Sequence, residues 1–367
     1  NLAEAMVELG HEVEIVSLGE PSFEQKGPVN IHRLPAMQLP LAGFFKHFRI
    51  SAVNPRNWVR MARIFRRSNA DAVLLVNHYL DIAFPTILAS KLARMPLFCS
   101  VGTQLQSLNP RRNKILNILD RLICGGLIFP FCFRIVAWDN QIRQYLLDVQ
   151  GARIDRKISI VHYGVNGDSG HLESHDHNYA GNDVILGVGA VSEQRSFVPL
   201  VRAFATLADA RPKLRLRIIG HVYYPEAQRL AAELGLSERV QFLGERSHDE
   251  VVENMRAASV LFSSLTGKYV GLGTATIEAM LSGLPTVVNT PLDLFGDAKL
   301  KDGVHLVQCQ SSEPAVIAER LASVIDHQDA RARIGQGGRD FVKKHLNWPV
   351  VARNMATLLA SYPRGKQ

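Results

Sequence analysis

Short β-branched apolar runs alternate with helical segments along this chain, and the alternation runs through twice. In its first pass, apolar runs at 72–76, 96–100, 134–138 and 158–162 are separated by helix-like segments at 52–68, 82–94 and 139–149. In its second, runs at 184–188, 214–219, 239–243, 258–263, 285–289 and 304–308 alternate with helices at about 197–209, 225–234, 248–257, 274–282 and 313–326. Such a rhythm buries a parallel sheet beneath helices on its faces, so the expected class is α/β, twice over. Ahead of the first pass, Leu2, Met6 and Leu9 recur at helical spacing, Gly10 stops them, and Val13, Ile15 and Leu18 give a strand. The chain starts at Asn1, without Met and at once in a helix, so a preceding segment is expected.

A single α/β core stops growing at about 250–300 residues, and 367 residues exceed it. With 47% hydrophobic and 21% charged residues, both halves can bury cores. The expected division is 1–166 and 183–345, joined by a polar linker at 167–182, with 346–367 a final helix that crosses back to the first domain. Four cysteines, Cys99, Cys124, Cys132 and Cys309, stand apart in apolar surroundings. They lack the paired spacing of a zinc or dithiol site and read as reduced core residues. The most apolar stretch, Ile115 to Phe133, is interrupted by Asp120, Arg121, Gly125, Gly126 and Pro130, and should not span a bilayer. With no signal-peptide pattern, a cytoplasmic protein is expected. The net charge of +8 and pI near 9.4 suit a phosphorylated ligand, an anionic membrane or nucleic acid. Dispersed basic residues without an aromatic-basic motif argue against the last.

Two glycine turns carry the candidate chemistry. Gly187-Val188-Gly189 ends the first strand of the second half, just before a helix. Glycine lets backbone amides approach a phosphate, and the helix N-terminus adds a positive dipole. Steric need for glycine in a tight turn is the competing account, and Ser192 stands where a dinucleotide fingerprint has its third glycine. Arg195 nearby can grip a diphosphate with parallel hydrogen bonds, or simply be a solvated surface residue. The second turn, Val270-Gly271-Leu272-Gly273-Thr274, runs into a helix. There the amides of Leu272, Gly273 and Thr274 can face a phosphate, and Glu278 can accept from ribose hydroxyls. Glu278 is also favourable in a first helical turn with no ligand at all.

The string Leu234-Gly-Leu-x-x-Arg239-Val240-x-Phe242-Leu243-Gly244, then Ala257-Ala-Ser-Val260, then Gly271-Leu-Gly-x-x-x-x-Glu278-Ala-Met-x-x-Gly283-Leu-Pro resembles the family 4 retaining glycosyltransferases. The likeness continues through Asp302-Gly303, Arg339 and Trp348, and less specifically through Ala3–Val16 and Ile160–Asn166. It implies the GT-B fold, with two Rossmann-like doubly wound domains facing across a cleft and the first strand of the N-terminal sheet missing here. It also implies a hexosyltransferase-type, retaining, metal-independent enzyme that uses a nucleotide diphosphate sugar and no cofactor. No Asp-x-Asp pair occurs, in keeping with that. The resemblance assigns the base to Gly244 and Arg246, the diphosphate to Gly189, Arg195 and Gly271–Thr274, and the ribose to Glu278, with Arg195 and Glu278 as the catalytic pair. It places the acceptor, a glycan or lipid-linked molecule of polysaccharide or lipopolysaccharide synthesis, on the first domain.

Three positions depart from the pattern. The family's diphosphate Arg is Ala190, its sugar-contacting glutamate is Val270, and its His after the strand at 96–100 is Val101. Lys268, in an inserted Thr266-Gly267-Lys268, is the candidate replacement charge. These departures also suit a catalytically silent GT-B protein that binds nucleotide sugar or partners an active transferase. On the acceptor side, strand ends nominate His78, Gly102, Thr103 and Asp139, although Asp139 equally suits a helix cap. Arg111-Arg112-Asn113-Lys114 followed by Ile115, Leu116, Ile118 and Leu122 reads as a basic amphipathic helix. It suits either core packing or peripheral contact with an anionic inner-membrane face. An NAD-linked oxidoreductase is disfavoured, because Arg217 and Ile218 stand where an acidic residue is needed.

Overall fold

The computed structural model describes residues 1–38, 49–77, 81–166 and 183–363. The chain divides into two compact units, Asn1–Gly164 with Trp348–Gln367, and Val165–Asn347. The polar stretch expected as a linker, 167–182, and His78 lie outside the described residues.

In the first unit, α1 (Leu2–Glu8) leads to β1 (Glu14–Gly19), β2 (Ser22–Lys26) and β3 (Val29–Pro35). β1 pairs with β3 in parallel and β2 pairs with β3 antiparallel. A short pair follows, β4 (Met37–Gln38) and β5 (Arg49–Ile50), then α2 (Pro55–Arg67). A four-stranded parallel sheet comes next, from β6 (Val73–Val76), β7 (Leu97–Val101), β8 (Arg134–Ala137) and β9 (Ile158–Ile160) in that order. Its connections are α3 (Ala83–Ala93), α4 (Pro110–Asp120) with a π-helix (Arg121–Ile128) and a 3-10 turn (Phe129–Phe131), and α5 (Asn140–Gln150). The antiparallel β2 departs from the expected βαβ rhythm. Every residue of Ser22–Lys26 is exposed, so no apolar periodicity marks the strand.

β1 and β6 are each the last strand of their sheet, and both line one cavity of 790 Å³ together with Met61, Phe65 and Met355.

The second unit is more regular. Its strands are β10 (Val184–Val188), β11 (Arg215–Ile219), β12 (Val240–Gly244), β13 (Val260–Ser263), β14 (Thr286–Val288) and β15 (Val307–Gln308). They form one parallel sheet in the order β12-β11-β10-β13-β14-β15. Helices α6 (Val198–Ala210), α7 (Glu226–Glu233), α8 (His248–Ala257), α9 (Thr274–Leu281), α10 (Pro314–Ile325) and α11 (Gln328–His345) connect and flank it. One core holds Ile185, Leu200, Phe204, Leu216 and Leu321, and a second holds Leu186, Met255, Leu261 and Ala279. Ile185 and Leu186 are adjacent on β10 and enter different cores, as successive strand residues must. The expected strand at 304–308 shortens to Val307–Gln308, since Gly303 N–H bonds Leu306 O and Asp302 Oδ1 accepts from Gln308 N–H.

At the end of the chain, α12 (Trp348–Ala360) returns to the first unit, where Val351 and Met355 pack with Val136 and Val161. Val165 N–H bonds Leu346 O, which ties that residue to the second unit.

Candidate functional site

Strand order alone singles out one place in the second unit. From β10 the chain runs outward to β11 and β12 on one side, then returns to β13 and proceeds on the other. Loops that leave β10 and β13 therefore diverge, and such a switch point is where open α/β sheets bind ligands. Both glycine turns singled out in the sequence are these loops. Thr266 N–H donates to Gln194 O at 2.7 Å, joining them directly.

Gly189 follows β10 with φ +126°, and its N–H bonds Ile219 O at 2.8 Å. A Cβ there would stand 2.0 Å from Arg195 Nη1 and would be strained at this φ, so a side chain here displaces the guanidinium. A neighbouring glycine not nominated from sequence completes the floor. Gly220 follows β11 with φ +145°, and a Cβ on it would lie 2.2 Å from Gly189 O. Gly220 N–H in turn bonds the carbonyl of Gly244, at the end of β12 with φ +70°. Gly189, Gly220 and Gly244 each close a strand run, a signal present in the sequence but read only for the first and last.

Arg195 is held by its own turn, with its N–H bonding Ser192 O at 3.0 Å. Its guanidinium lies between the turns, since Nη2 would be 3.7 Å from a Cβ on Gly273. Nε is buried and has no hydrogen-bond partner, and burial pushes the guanidinium below its usual range. A guanidinium stays charged in proteins, so a desolvated, incompletely bonded one is a standing cost that an anion would relieve.

Gly273 is the N-cap of α9 and caps with no side chain, while its carbonyl accepts from Thr276 and Ile277. Amides at the start of α9 therefore have no side-chain cap, the geometry that receives anions. Gly271 and Leu272 are half-buried and Thr274 is exposed. Glu278, in the second turn of α9, is also half-buried. Burial raises its carboxyl above the usual range, and His248, the first residue of α8, opposes that shift. His248 is a second residue that sequence reasoning missed.

The other nominees are placed less tightly. Arg246 is exposed to solvent on one side and pairs with Glu250 at 3.6 Å, next to the Ser247 capping box of α8. Lys268 is exposed, with Nζ 5.2 Å from the Tyr269 ring centroid. Val270 is held through its carbonyl by Thr290 Oγ1 at 3.1 Å, and Ala190 is exposed.

In the first unit, Gly102 follows β7, and a Cβ on it would lie 2.3 Å from the Trp138 ring. Thr103 is exposed, and Val101 is fully buried as the last residue of β7. Asp139 is the N-cap of α5, where Oδ1 accepts from Ile142 N–H at 2.7 Å. Burial pushes its carboxyl up to about 6, although the Ile142 and Gln141 N–H groups pull the other way. No cluster of three metal-ligating side chains occurs among the described residues.

Residues 174–341 match the model for Glycosyl transferases group 1, and residues 1–169 match that for Glycosyltransferase Family 4. A D-inositol 3-phosphate glycosyltransferase of Streptomyces scabiei is 31% identical over 196 residues, 49% of this chain and 43% of that protein. An uncharacterized glycosyltransferase of Methanocaldococcus jannaschii is 22% identical over 244 residues, 65% of this chain and 60% of that one. The matches thus span about half the length of these curated relatives. Among solved structures, Anabaena HepE in complex with UDP and glucose has a TM-score of 0.67 at 15% identity, covering 95% of this chain and 99% of its own. A glycosyltransferase from Rickettsia africae gives 0.71 at 16%, covering 99% and 94%. One glycosyltransferase family model thus matches each half of the chain, and the solved neighbours share its GT-B fold of two Rossmann-like domains.

Proposed function

We propose that this protein moves a sugar from a nucleotide diphosphate sugar to a glycan or lipid-linked acceptor, with retention of configuration and without a metal. The observation that carries the proposal is Arg195, a buried guanidinium with an unpartnered Nε, set between the Gly189 turn and the uncapped start of α9. Relatives named as glycosyltransferases and neighbours solved with UDP support the donor class.

The diphosphate lies on Arg195, beside the Gly189 turn and with the amides of Leu272–Thr274 around it. Glu278 accepts from the ribose hydroxyls, and the base rests near Gly244 and Arg246. As the acceptor oxygen bonds to the anomeric carbon, the bond from that carbon to the phosphate oxygen breaks. The acceptor's proton passes to the departing phosphate on the same face. Charge grows on the phosphate during this step, and a preorganised cation with aligned amides stabilises it more than the ground state. Gly102, Thr103 and Asp139 are proposed to face the acceptor. The enzyme works in the cytoplasm, at the inner face of the membrane.

One observation favours a second reading. Ala190 is exposed and Val270 contributes only its backbone carbonyl to a described hydrogen bond, so neither side chain replaces a lost donor contact. On this second reading the protein binds nucleotide sugar without transferring it, or partners an active transferase. Thermal shift across UDP-, GDP-, ADP- and dTDP-sugars, followed by turnover of the stabilising donor in labelled form, separates the two. A ligand that binds only the folded state raises its stability. Stabilisation with turnover supports the enzyme, stabilisation without turnover the silent protein, and no stabilisation by any of them removes both.

A further inference from the structure

The first unit carries an uncovered apolar surface. Ten of the twenty exposed large hydrophobic side chains among the described residues fall between Leu88 and Phe131. Ile115, Leu119, Ile123, Leu127 and Phe131 recur every fourth residue through α4, the π-helix and the 3-10 turn, each at least 42% exposed. A four-residue step overshoots a full α-turn by about 40°. The wider π-turn reverses that drift, so the stripe stays on one side. Leu122 beside it is 62% exposed. Leu88 and Leu92, one turn apart on α3, are also exposed, and Lys91 Nζ sits 3.8 Å over the Phe131 ring, which joins that helix to the stripe.

The opposite side of the same segment is fixed to the unit. Asp120 is buried and accepts from Tyr145 Oη, and Arg121 Nε donates to Val149 O at 2.8 Å. Lys157 Nζ donates to the carbonyls of Phe129, Pro130 and Cys132 at 3.0, 3.1 and 2.8 Å. A segment bonded this firmly on one side holds its apolar residues outward.

Charge identifies what covers them. From Ile82 to Trp138 the sequence holds seven Lys and Arg against one acid, Asp120, and that acid is buried. Lys91, Arg94, Arg111, Arg112 and Lys114 are all exposed. A protein partner would need an apolar face rimmed by acids matched to these five cations. An anionic bilayer supplies both phases at once, acyl chains for the stripe and phosphates for the cations.

We propose that α4, the π-helix and the adjoining face of α3 form a docking surface for an anionic lipid bilayer, with Leu122 and Leu127 entering the acyl region and Arg111, Arg112 and Lys114 on the headgroups. It deepens the peripheral placement proposed above and uses no residue of the donor site.

The test is vesicle co-sedimentation of the whole chain, with phosphatidylcholine alone and with added phosphatidylglycerol, at low and high salt. Wild type sediments with the anionic vesicles and is released by salt. Arg111→Glu with Arg112→Glu lowers partition by twentyfold or more, taking about fivefold for each cation near the surface. Leu122→Ser with Leu127→Ser lowers it by about tenfold for two half-exposed leucines, with unchanged nucleotide stabilisation and an unchanged melting midpoint. These leucines are already exposed, so folding should survive. Equal partition to both vesicle types, no partition, or a concentration-dependent dimer that the serine pair dissolves without any vesicle binding each overturns the proposal. Because nucleotide stabilisation is read separately, failure here leaves the donor site standing, and failure there leaves this surface standing.

Discussion

Arg195 Nη1 occupies the space that a Cβ on Gly189 would take, at 2.0 Å, and the two residues belong to one turn at the centre of the sheet. Gly189→Ala must therefore move the guanidinium as well as strain a backbone at φ +126°. The strain costs on the order of 1–3 kcal/mol. Isothermal titration with the nucleotide that best stabilises wild type should show at least tenfold weaker binding. Arg195→Lys should recover less than half of the binding energy lost by Arg195→Ala, because an ammonium cannot make the paired hydrogen bonds of a guanidinium.

Glu278 points to a trade between stability and binding. Burial raises its carboxyl, so ionising it in the empty protein is unfavourable. With the folded value above the unfolded one, stability falls as pH rises through that window and stays lowered above it. Glu278→Gln should raise the melting midpoint of the empty protein at pH 7 while weakening nucleotide binding by about tenfold, the loss of a charged acceptor. A variant that is neither more stable nor weaker in binding would show that the carboxylate faces no ligand.

The regular second unit was legible because each strand is a compact β-branched run and each helix has its own stop, as at Ser282-Gly283 before β14. The glycine turns were legible for the same reason, since they close those runs. Three features were not. Ser22–Lys26 pairs antiparallel with β3, helped by the exposed Glu24–Arg33 ion pair, with no buried side chain to mark it. The π-helix at Arg121–Ile128 has no periodicity distinct from an α-helix over so few residues. The closeness of His248 to Glu278 depends on how α8 and α9 fold onto one sheet, which no local pattern encodes.

Trp138 gives the first unit a packing test. Its Nε1 donates to Ser100 Oγ at 2.8 Å, its ring lies 4.9 Å from Tyr163, and Gly102 faces the ring directly. A methyl at Gly102 would sit 2.3 Å from three ring carbons, which cannot yield as a flexible chain end does. Gly102→Ala should destabilise the protein by about 1–3 kcal/mol, the usual range for overpacking. Denaturant unfolding followed by tryptophan fluorescence measures this, and an unchanged spectrum and midpoint would mean that the ring has room to turn.

Asp139 should leave a mark on the pH profile of stability. Its carboxyl is pushed up to about 6 by burial, against an unfolded value of about 3.9. Between those values the unfolded chain has released a proton that the folded protein still holds. Stability therefore declines as pH rises from about 4 to about 6 and is level in this respect above it. Asp139→Asn keeps an oxygen to accept from Ile142 N–H, and asparagine caps helices about as well as aspartate. It should remove the decline and leave the variant more stable at pH 7 by on the order of 2 kcal/mol. Urea midpoints at pH 4, 5, 6 and 7 for both proteins test it; parallel profiles would mean that the carboxylate is better solvated than its place at the start of α5 implies. If sugar transfer also loses its pH dependence near 6 in this variant, the acceptor side of the reaction reaches this carboxyl, and if the rate profile is unchanged, Asp139 serves α5 alone.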